Sequence, residues 1–308
     1  MNRCPITFEL CEGIYSPRGL SLLSRGLTEL LPLPFSASDL RREAIARAGK
    51  MSVQGMQPKL SAIFSPKNKQ FELRDNGGTF LIKPQSESYL KLPENEALTL
   101  KLAALAGIEI PLCGLLYAQD GSLNFFIKRF DRYGHGKKYA AEDFSQLLGL
   151  PRGSKYKSSM EKLVTVIDSH CTFPLIEKKK LFQRLLFSFI TGNEDMHLKN
   201  FTLLSRKGII SLSPAYDLVN TSLALGKSAD ELALPLAGKK NRLNRADFFE
   251  YFGKNRCGLP EKVLDAEYQN LLKHKVQFIN LIRYSFLNEN QQEDYIKLLE
   301  QRLNRLQE

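Results

Sequence analysis

Residues 178–217 constrain this chain more than any other stretch. Lys178–Thr191 carries Leu181, Phe182, Leu185, Leu186, Phe187, Phe189 and Ile190, apolar on nearly every side of a helix. A helix of that kind is enclosed by other elements rather than laid on a surface. It delivers the chain directly into a polar loop, Gly192-Asn193-Glu194-Asp195-Met196-His197-Leu198-Lys199-Asn200. Residues 201–205 and 209–213 then read as two short strands around Arg206-Lys207-Gly208, a hairpin turn signal. Asp217 follows that hairpin. A buried helix, a polar loop, a hairpin and an acid therefore come in fixed order.

The loop has a chemical reading. Asp195 and Asn200 are five positions apart, the interval between base and metal-binding Asn in a protein-kinase catalytic loop. Asp217 comes where a kinase places its second metal-binding Asp. Phosphoryl transfer is mostly positioning and charge neutralisation. It needs one carboxylate near the acceptor hydroxyl, and an Asn and a second carboxylate on Mg²⁺. His197 either orders the loop by bonding backbone or touches phosphate, and Lys199 is placed to offset charge on a γ-phosphate. Taken alone, the same spacing also describes a polar turn after a buried helix.

The rest of the chain supplies context. Residues 1–50 look irregular, with Pro5, Pro17, Pro32 and Pro34, apart from a helix over 38–48 capped by Ser38 and favoured by Asp39 in its first turn. Residues 59–64, 70–73 and 79–83 read as strands, and 93–106 as a helix between Pro93 and Gly107. Residues 114–117 and 123–129 read as a hairpin around Asp120-Gly121. After Asp131 the pattern is mostly helical, including 243–252, 260–284 and 288–307. The expectation is an α+β, bilobal, protein-kinase-like fold. Residues 1–132 form a small β-rich N-lobe and residues 133–308 a larger, mostly helical C-lobe.

The first half holds further candidates. Met51–Lys59 contains Ser52, Val53, Gln54 and Gly55, then Lys59. One Gly does not make a G-x-G-x-x-G phosphate loop, and alone the stretch is an ordinary turn before a strand. Lys83 ends a strand, Phe80-Leu81-Ile82, that resembles V-A-I-K, whose Lys neutralises nucleotide phosphates. Glu96, with Glu94 beside it, stands in the following helix where a kinase holds that Lys by an ion pair. Acids at a helix N-terminus are favourable in any case. Arg129 and Phe130 fall at the expected lobe junction, where backbone groups can bond adenine and Phe130 can pack near the base.

Charge narrows the partners. Lys plus Arg number 44 against 33 acids, a net +11, which favours nucleotides, nucleic acid or an acidic protein face. No helix-turn-helix or zinc-finger pattern occurs, so sequence-specific DNA binding by this chain alone is not expected. The five cysteines form no C-x-x-C, which points to a reducing, cytoplasmic setting rather than a disulfide framework or a zinc site. No apolar run approaches the ~18 residues of a membrane span, and no signal peptide is recognisable.

Together the motifs resemble the HipA family of toxin kinases. The matching stretches are residues 52–61, 80–84, 94–96, 128–132, 142–149, 192–200 and 214–220, in the family's order. The resemblance implies a serine/threonine protein kinase of a toxin–antitoxin system that uses ATP and Mg²⁺. It implies an aminoacyl-tRNA synthetase as substrate and arrested translation as outcome. Asp195 would be the catalytic acid–base residue, and Asn200 and Asp217 the metal ligands. Lys83 would bind phosphates, held by Glu96. Ser52, Val53, Gln54, Gly55, Lys59, Arg129, Phe130, His197 and Lys199 would line the nucleotide site. Ser52 lies where family members autophosphorylate, and a dianionic group there would clash with ATP phosphates. Only 51 residues precede Ser52, which resembles the short HipT type. That type implies a separate small HipS-like protein and a HipB-like DNA-binding antitoxin as partners. The site of action, in the chain's own cell or as a secreted effector in a host cytosol, is not readable from these residues. Two other readings stay open. Asp195, His197 and Asn200 also resemble the loop of phosphoinositide-type lipid kinases, and a pseudokinase would keep the fold as a binding subunit.

Overall fold

The structure, a computed structural model, describes residues 2–47, 57–134, 136–151, 153–226 and 230–307. Ser52, Val53, Gln54 and Gly55 lie outside the described residues. The chain divides into two compact units. One comprises Met1–Leu98, Pro111–Gly136 and Tyr284–Leu287, and the other Thr99–Ile110, Lys137–Arg283 and Asn288–Glu308.

The first unit is built on a five-stranded antiparallel sheet. Its spatial order is Gln70–Leu73, Leu60–Ser65, Phe80–Lys83, Leu123–Lys128, Cys113–Tyr117. The helix Leu92–Leu105 is inserted between its third and fourth strands in chain order. Alternation assigns the faces. Phe80 and Ile82 are buried in a cluster with Leu60, Ala62, Phe71 and Phe126. Phe71 meets Phe80 edge-on with ring centroids 5.1 Å apart, and Phe126 at 5.2 Å. Leu30, Leu33, Leu40 and Ala44 close the same cluster, so the Leu- and Pro-rich N-terminal stretch is spent on this unit's core.

The N-terminal segments also cover the sheet edges, which otherwise present open backbone groups. Leu115 N donates to Pro5 O at 2.9 Å and Leu33 N to Tyr117 O at 2.9 Å on one edge. Leu31 N donates to Lys69 O at 2.8 Å by the other. Gly114 permits the first approach, since a Cβ there would stand 2.9 Å from Ile6 Cα. Residues 1–50 are therefore less irregular than their prolines suggest. A helix Pro17–Leu23 forms with Pro17 in its first turn and Ser16 accepting from Gly19 N. The next helix is Ala37–Arg47. Ser36 rather than Ser38 caps it: Ser36 Oγ accepts from Asp39 N, and Asp39 reaches back to Ser36 N, each at 3.2 Å.

The second unit surrounds the apolar helix Pro174–Thr191, in which Leu181, Phe182, Leu186, Phe187, Phe189 and Ile190 are all fully buried. It starts earlier than its apolar run because Pro174 suits a first turn. Packed with it are the helices Met160–His170 and Glu289–Arg305 and the π-helix Asp247–Arg256. A three-stranded antiparallel sheet joins Ala140–Asp143, Thr202–Arg206 and Ile209–Leu212. Its hairpin pairs Arg206 with Ile209 across Lys207 and Gly208, whose φ values of 51° and 80° make a two-residue turn of primed type. The span 260–284, expected as one helix, is two: Glu261–Lys273 and Lys275–Arg283. His274 breaks it with ψ near 1°, its Nδ1 bonding Asn270 O at 2.8 Å. Among the described residues no helix is long and apolar enough to cross a membrane.

Candidate functional site

In the first unit the register sets up one buried ion pair. Lys83 lies opposite Phe125 on the neighbouring strand, so its ammonium stands 5.6 Å from the Phe125 ring centroid. From there Nζ donates to Glu96 Oε1 at 2.6 Å. The side chains are 5% and 0% exposed. Glu94 serves elsewhere, accepting from Gln85 Nε2 at 2.8 Å and pairing with Lys91 at 3.1 Å. Of the two acids, Glu96 meets the strand's Lys83, while Glu94 meets Gln85 just beyond it.

Arg129 and Phe130 follow the Leu123–Lys128 strand, and both are half-buried. Arg129 grips Asp131 with two bonds, Nε to Oδ1 at 2.9 Å and Nη2 to Oδ2 at 2.7 Å, and Arg132 adds a third at 3.2 Å. Burial works to raise Asp131, but Arg129 and Arg132 outweigh it, and its carboxyl sits below its ordinary range. Arg129 is thereby committed to shaping its own segment. Lys59 is half-buried just before the Leu60–Ser65 strand.

The second unit holds the loop. The Pro174–Thr191 helix ends at Gly192, with φ 70° and ψ 30°. That left-handed conformation favours Gly, and a Cβ there would also have to displace the end of the Leu298 side chain, 2.5 Å away. Asn193 N returns to Ser188 O at 2.9 Å, which turns Asp195 outward. The Asp195 carboxyl is 48% exposed. Asn200 Nδ2 donates to Asp195 O at 2.9 Å, and Asn200 N to His197 O at 2.9 Å. The five-residue interval is therefore closed on itself as a short helical turn, Leu198–Asn200.

His197 is buried beneath this turn with Nε2 3.9 Å from Asp195 Oδ2. Burial lowers its pKa more than Asp195 and Asp217 raise it. The imidazole is therefore held neutral, and its Nδ1 is buried without a hydrogen-bond partner among the described residues. Its neighbour is Tyr156, packed edge-on at 5.2 Å. The Tyr156 hydroxyl donates to Asp195 Oδ1. Burial and that carboxylate both push the phenol above its usual range. Leu198 N bonds Lys155 O at 3.2 Å and so fixes the Tyr156 segment to the loop.

Asp217 is half-buried and adopts φ 53°. Left-handed backbone is uncommon outside Gly, though Asp tolerates it better than most residues, and it gathers at functional sites. The preceding residues hold it there. Arg184, fully buried, donates Nη2 to Ser213 O, and burial pushes its guanidinium down to about 10. Ala215 N bonds Glu109 O at 2.7 Å. Tyr216 OH donates to Lys199 O at 2.8 Å while Thr202 Oγ1 lies 2.6 Å away as its own donor. Tyr216 thus ties the Asp217 segment to the residue beside Asn200. Lys199, half-buried, contributes its carbonyl to this tie.

Asn200 and Asp217 suit a hard divalent cation. The Asn200 amide nitrogen is committed to Asp195 O, which leaves its carbonyl oxygen as the coordinating atom, and Asp217 offers carboxylate oxygens. Oxygen donors without Cys or His are the set Mg²⁺ prefers. Among the described residues there is no cluster of three His, Cys, Asp or Glu that would hold a metal by itself.

Sequence reasoning gave no role to Glu194 and Tyr216, although both lie in the matching stretches 192–200 and 214–220, and it missed Tyr156 and Arg302, which carry no spacing signal. Tyr156 is 39 residues from Asp195, and Arg302 is 108 from Glu194.

Comparison with known proteins adds a family. The model of the HipA-like C-terminal domain matches residues 51–278. A Haemophilus influenzae protein named putative kinase is 30% identical over 223 residues, 68% of this chain and 64% of that protein. The Shewanella oneidensis serine/threonine-protein kinase toxin HipA is 26% identical over 194 residues, 56% of this chain and 44% of the toxin. The chain thus spans about half to two thirds of the length of these relatives. A solved Shewanella oneidensis complex of HipA, HipB and operator DNA contains a chain that aligns at TM-score 0.69 and 22% identity, covering 91% of this chain and 73% of that one. At that identity the likeness speaks for the fold, which is α+β and kinase-like.

Proposed function

This chain belongs to the family of the HipA-like C-terminal domain, and from that premise we propose that it is an ATP-dependent protein kinase acting on serine or threonine hydroxyls. The observation that carries the reading is the loop closed by Asn200 on the Asp195 carbonyl. It leaves the Asp195 side chain 48% exposed and the Asn200 amide nitrogen occupied, so that the Asn200 amide oxygen would be the atom offered to a cation.

Each residue then has a task. Asp195 accepts the proton of the acceptor hydroxyl as its oxygen bonds to the γ-phosphorus. The bond from that phosphorus to the β,γ-bridging oxygen breaks and ADP leaves. Lys83, kept charged and oriented by Glu96, neutralises the α- and β-phosphates. Asn200 and Asp217 would hold Mg²⁺, which would offset charge on the phosphate oxygens. His197, neutral and buried, keeps the loop in shape. Lys199 stands beside Asn200 to meet γ-phosphate charge. Lys59, Phe130, the backbone at Arg129 and residues 52–55 would line the nucleotide, and Ser52 would take a regulatory phosphate.

The name of the Shewanella relative, a serine/threonine-protein kinase toxin, supports hydroxyl phosphorylation by a toxin; the aminoacyl-tRNA synthetase acceptor is what the resemblance of the motifs implies. The complex of that toxin's namesake with HipB and operator DNA supports a HipB-like antitoxin as a partner. Incubation with ATP, Mg²⁺ and a panel of purified aminoacyl-tRNA synthetases, followed by phosphosite mapping, tests the proposal. One synthetase labelled on Ser or Thr is the expected result. Label on anionic lipid vesicles alone would replace the protein acceptor by a lipid one.

A further inference from the structure

The loop is clamped from beneath by a charge pair that the phosphoryl-transfer reading does not use. Glu194 precedes Asp195 and points inward, 7% exposed at its side chain. Three groups hold it. Arg302 Nη2 donates to Glu194 Oε1 at 2.7 Å, Ser222 Oγ donates to the same oxygen at 2.9 Å, and Thr221 Oγ1 accepts from Glu194 N at 2.9 Å. Arg302 also donates Nη1 to Phe189 O at 2.6 Å and lies 5.1 Å from the Phe189 ring centroid. Thr221 returns twice to Gly192 O, from N at 2.8 Å and from Oγ1 at 2.9 Å.

These contacts join three pieces. Phe189 and Gly192 end the buried helix, Glu194 begins the loop, and Thr221 and Ser222 start the helix Thr221–Leu225 that follows Asp217. Arg302 comes from the helix Glu289–Arg305, beyond the residues 51–278 matched by the family model. A buried ion pair is a poor source of net stability but a strict one of geometry, because both charges lose water and must meet partners in one arrangement. Glu194 and Arg302 meet theirs only when the loop start and the post-Asp217 segment are in register.

We propose that Arg302 is a positioning residue for the phosphoryl-transfer loop: acting through Glu194 and Phe189 O, it fixes Asp195 relative to the Asp217 segment. The inference rests on the kinase reading for its consequence in rate, but its structural claim stands apart from that reading.

Three variants and two readouts test it. Arg302→Met strips the clamp and leaves Glu194 buried and unpaired. Glu194→Leu with Arg302→Met removes both charges, which restores stability if lost pairing is the only harm. Arg302→Lys keeps a charge that cannot span both acceptors. Hydrogen exchange at residues 193–200 and 217–223 needs no activity. It should quicken in Arg302→Met and in the double variant, and less in Arg302→Lys, with helix 160–170 unchanged. In ATP-dependent label transfer, kcat should fall roughly ten- to hundredfold in both Met-containing variants, with KM for ATP changed less than about threefold. A double variant that is stable, with parental exchange and parental kcat, overturns the proposal. A parent chain without transfer activity sinks the kinase reading, and the exchange pattern then decides the clamp by itself. Uniform loss of protection through the whole unit would reduce Arg302 to a general stability role and also overturn it.

Discussion

Lys83 and Glu96 give the most demanding test of how stability and function divide. Their charged atoms are 2.6 Å apart and their side chains 5% and 0% exposed. At an effective dielectric of about 20 their attraction is about 6 kcal/mol. Desolvating each ion costs several kcal/mol, so the pair is close to balance. Removing one partner is different, because the survivor stays buried and loses the opposite charge 2.6 Å away. Lys83→Met or Glu96→Leu alone should each cost about 3–5 kcal/mol, a large part of a typical ΔG of about 5–15 kcal/mol. Lys83→Met with Glu96→Leu should cost less than either. Urea unfolding of the four proteins gives this cycle directly. Costs that simply add in the double variant would refute the balance argument. Nucleotide binding by calorimetry on the same proteins separates the second role. The double variant should be stable yet still bind ATP poorly, because no ammonium faces the phosphates. A stable double variant with parental ATP affinity would remove Lys83 from the nucleotide site.

Three further outcomes follow from the geometry. Asp195→Asn and Asp217→Asn should each lower phosphoryl transfer by about 3–4 kcal/mol in barrier, read as label on the acceptor, while circular dichroism stays parental. Tyr156→Phe removes the donor to Asp195 Oδ1 and should lower kcat roughly three- to tenfold with ATP affinity intact; a faster enzyme would mean that the phenol occupies the acceptor's place. Asp131 is held below its ordinary range by Arg129 and Arg132 against burial. Its contribution is therefore present above an unfolded-state pKa of about 4 and is lost as pH falls through the lower folded value. Asp131→Asn should accordingly destabilise the protein at pH 6 and have a shrinking effect toward pH 2, measured by denaturant unfolding across that range.

What could be read from the sequence is what repeats or sits close by. The apolar run within Pro174–Thr191, the alternating Phe80–Lys83 strand and the Lys207-Gly208 turn each declare themselves within a few residues, because periodicity and turn chemistry are local. The Asp195–Asn200 interval is legible for the same reason: one side chain bonds the other residue's backbone across a single turn. Glu96 is singled out as the partner of Lys83 by its place in the order of motifs, and the pair forms at 2.6 Å; that Glu94 instead meets Gln85 and Lys91 depends on the helix's rotation against the sheet. Ser36 outdid Ser38 as a cap because Asp39, three residues on, could reciprocate. His274 broke a continuous amphipathic pattern by a side-chain bond to its own helix. Tyr156 and Arg302 are chosen by tertiary proximity alone. Their neighbours in sequence, a Lys-rich turn and an ordinary charged helix, say nothing of Asp195 or Glu194.

The central claim is that Asp195 and its loop transfer phosphoryl groups. It is tested most directly by incubating the full chain and its Asp195→Asn variant with γ-labelled ATP and Mg²⁺, both checked to be folded and to bind ATP equally. Label appearing on Ser or Thr of the chain or of an added protein, in the parent and not in the variant, is the result this account predicts. Equal labelling by both proteins, or ATP bound by the parent and never transferred to any acceptor supplied, would contradict it.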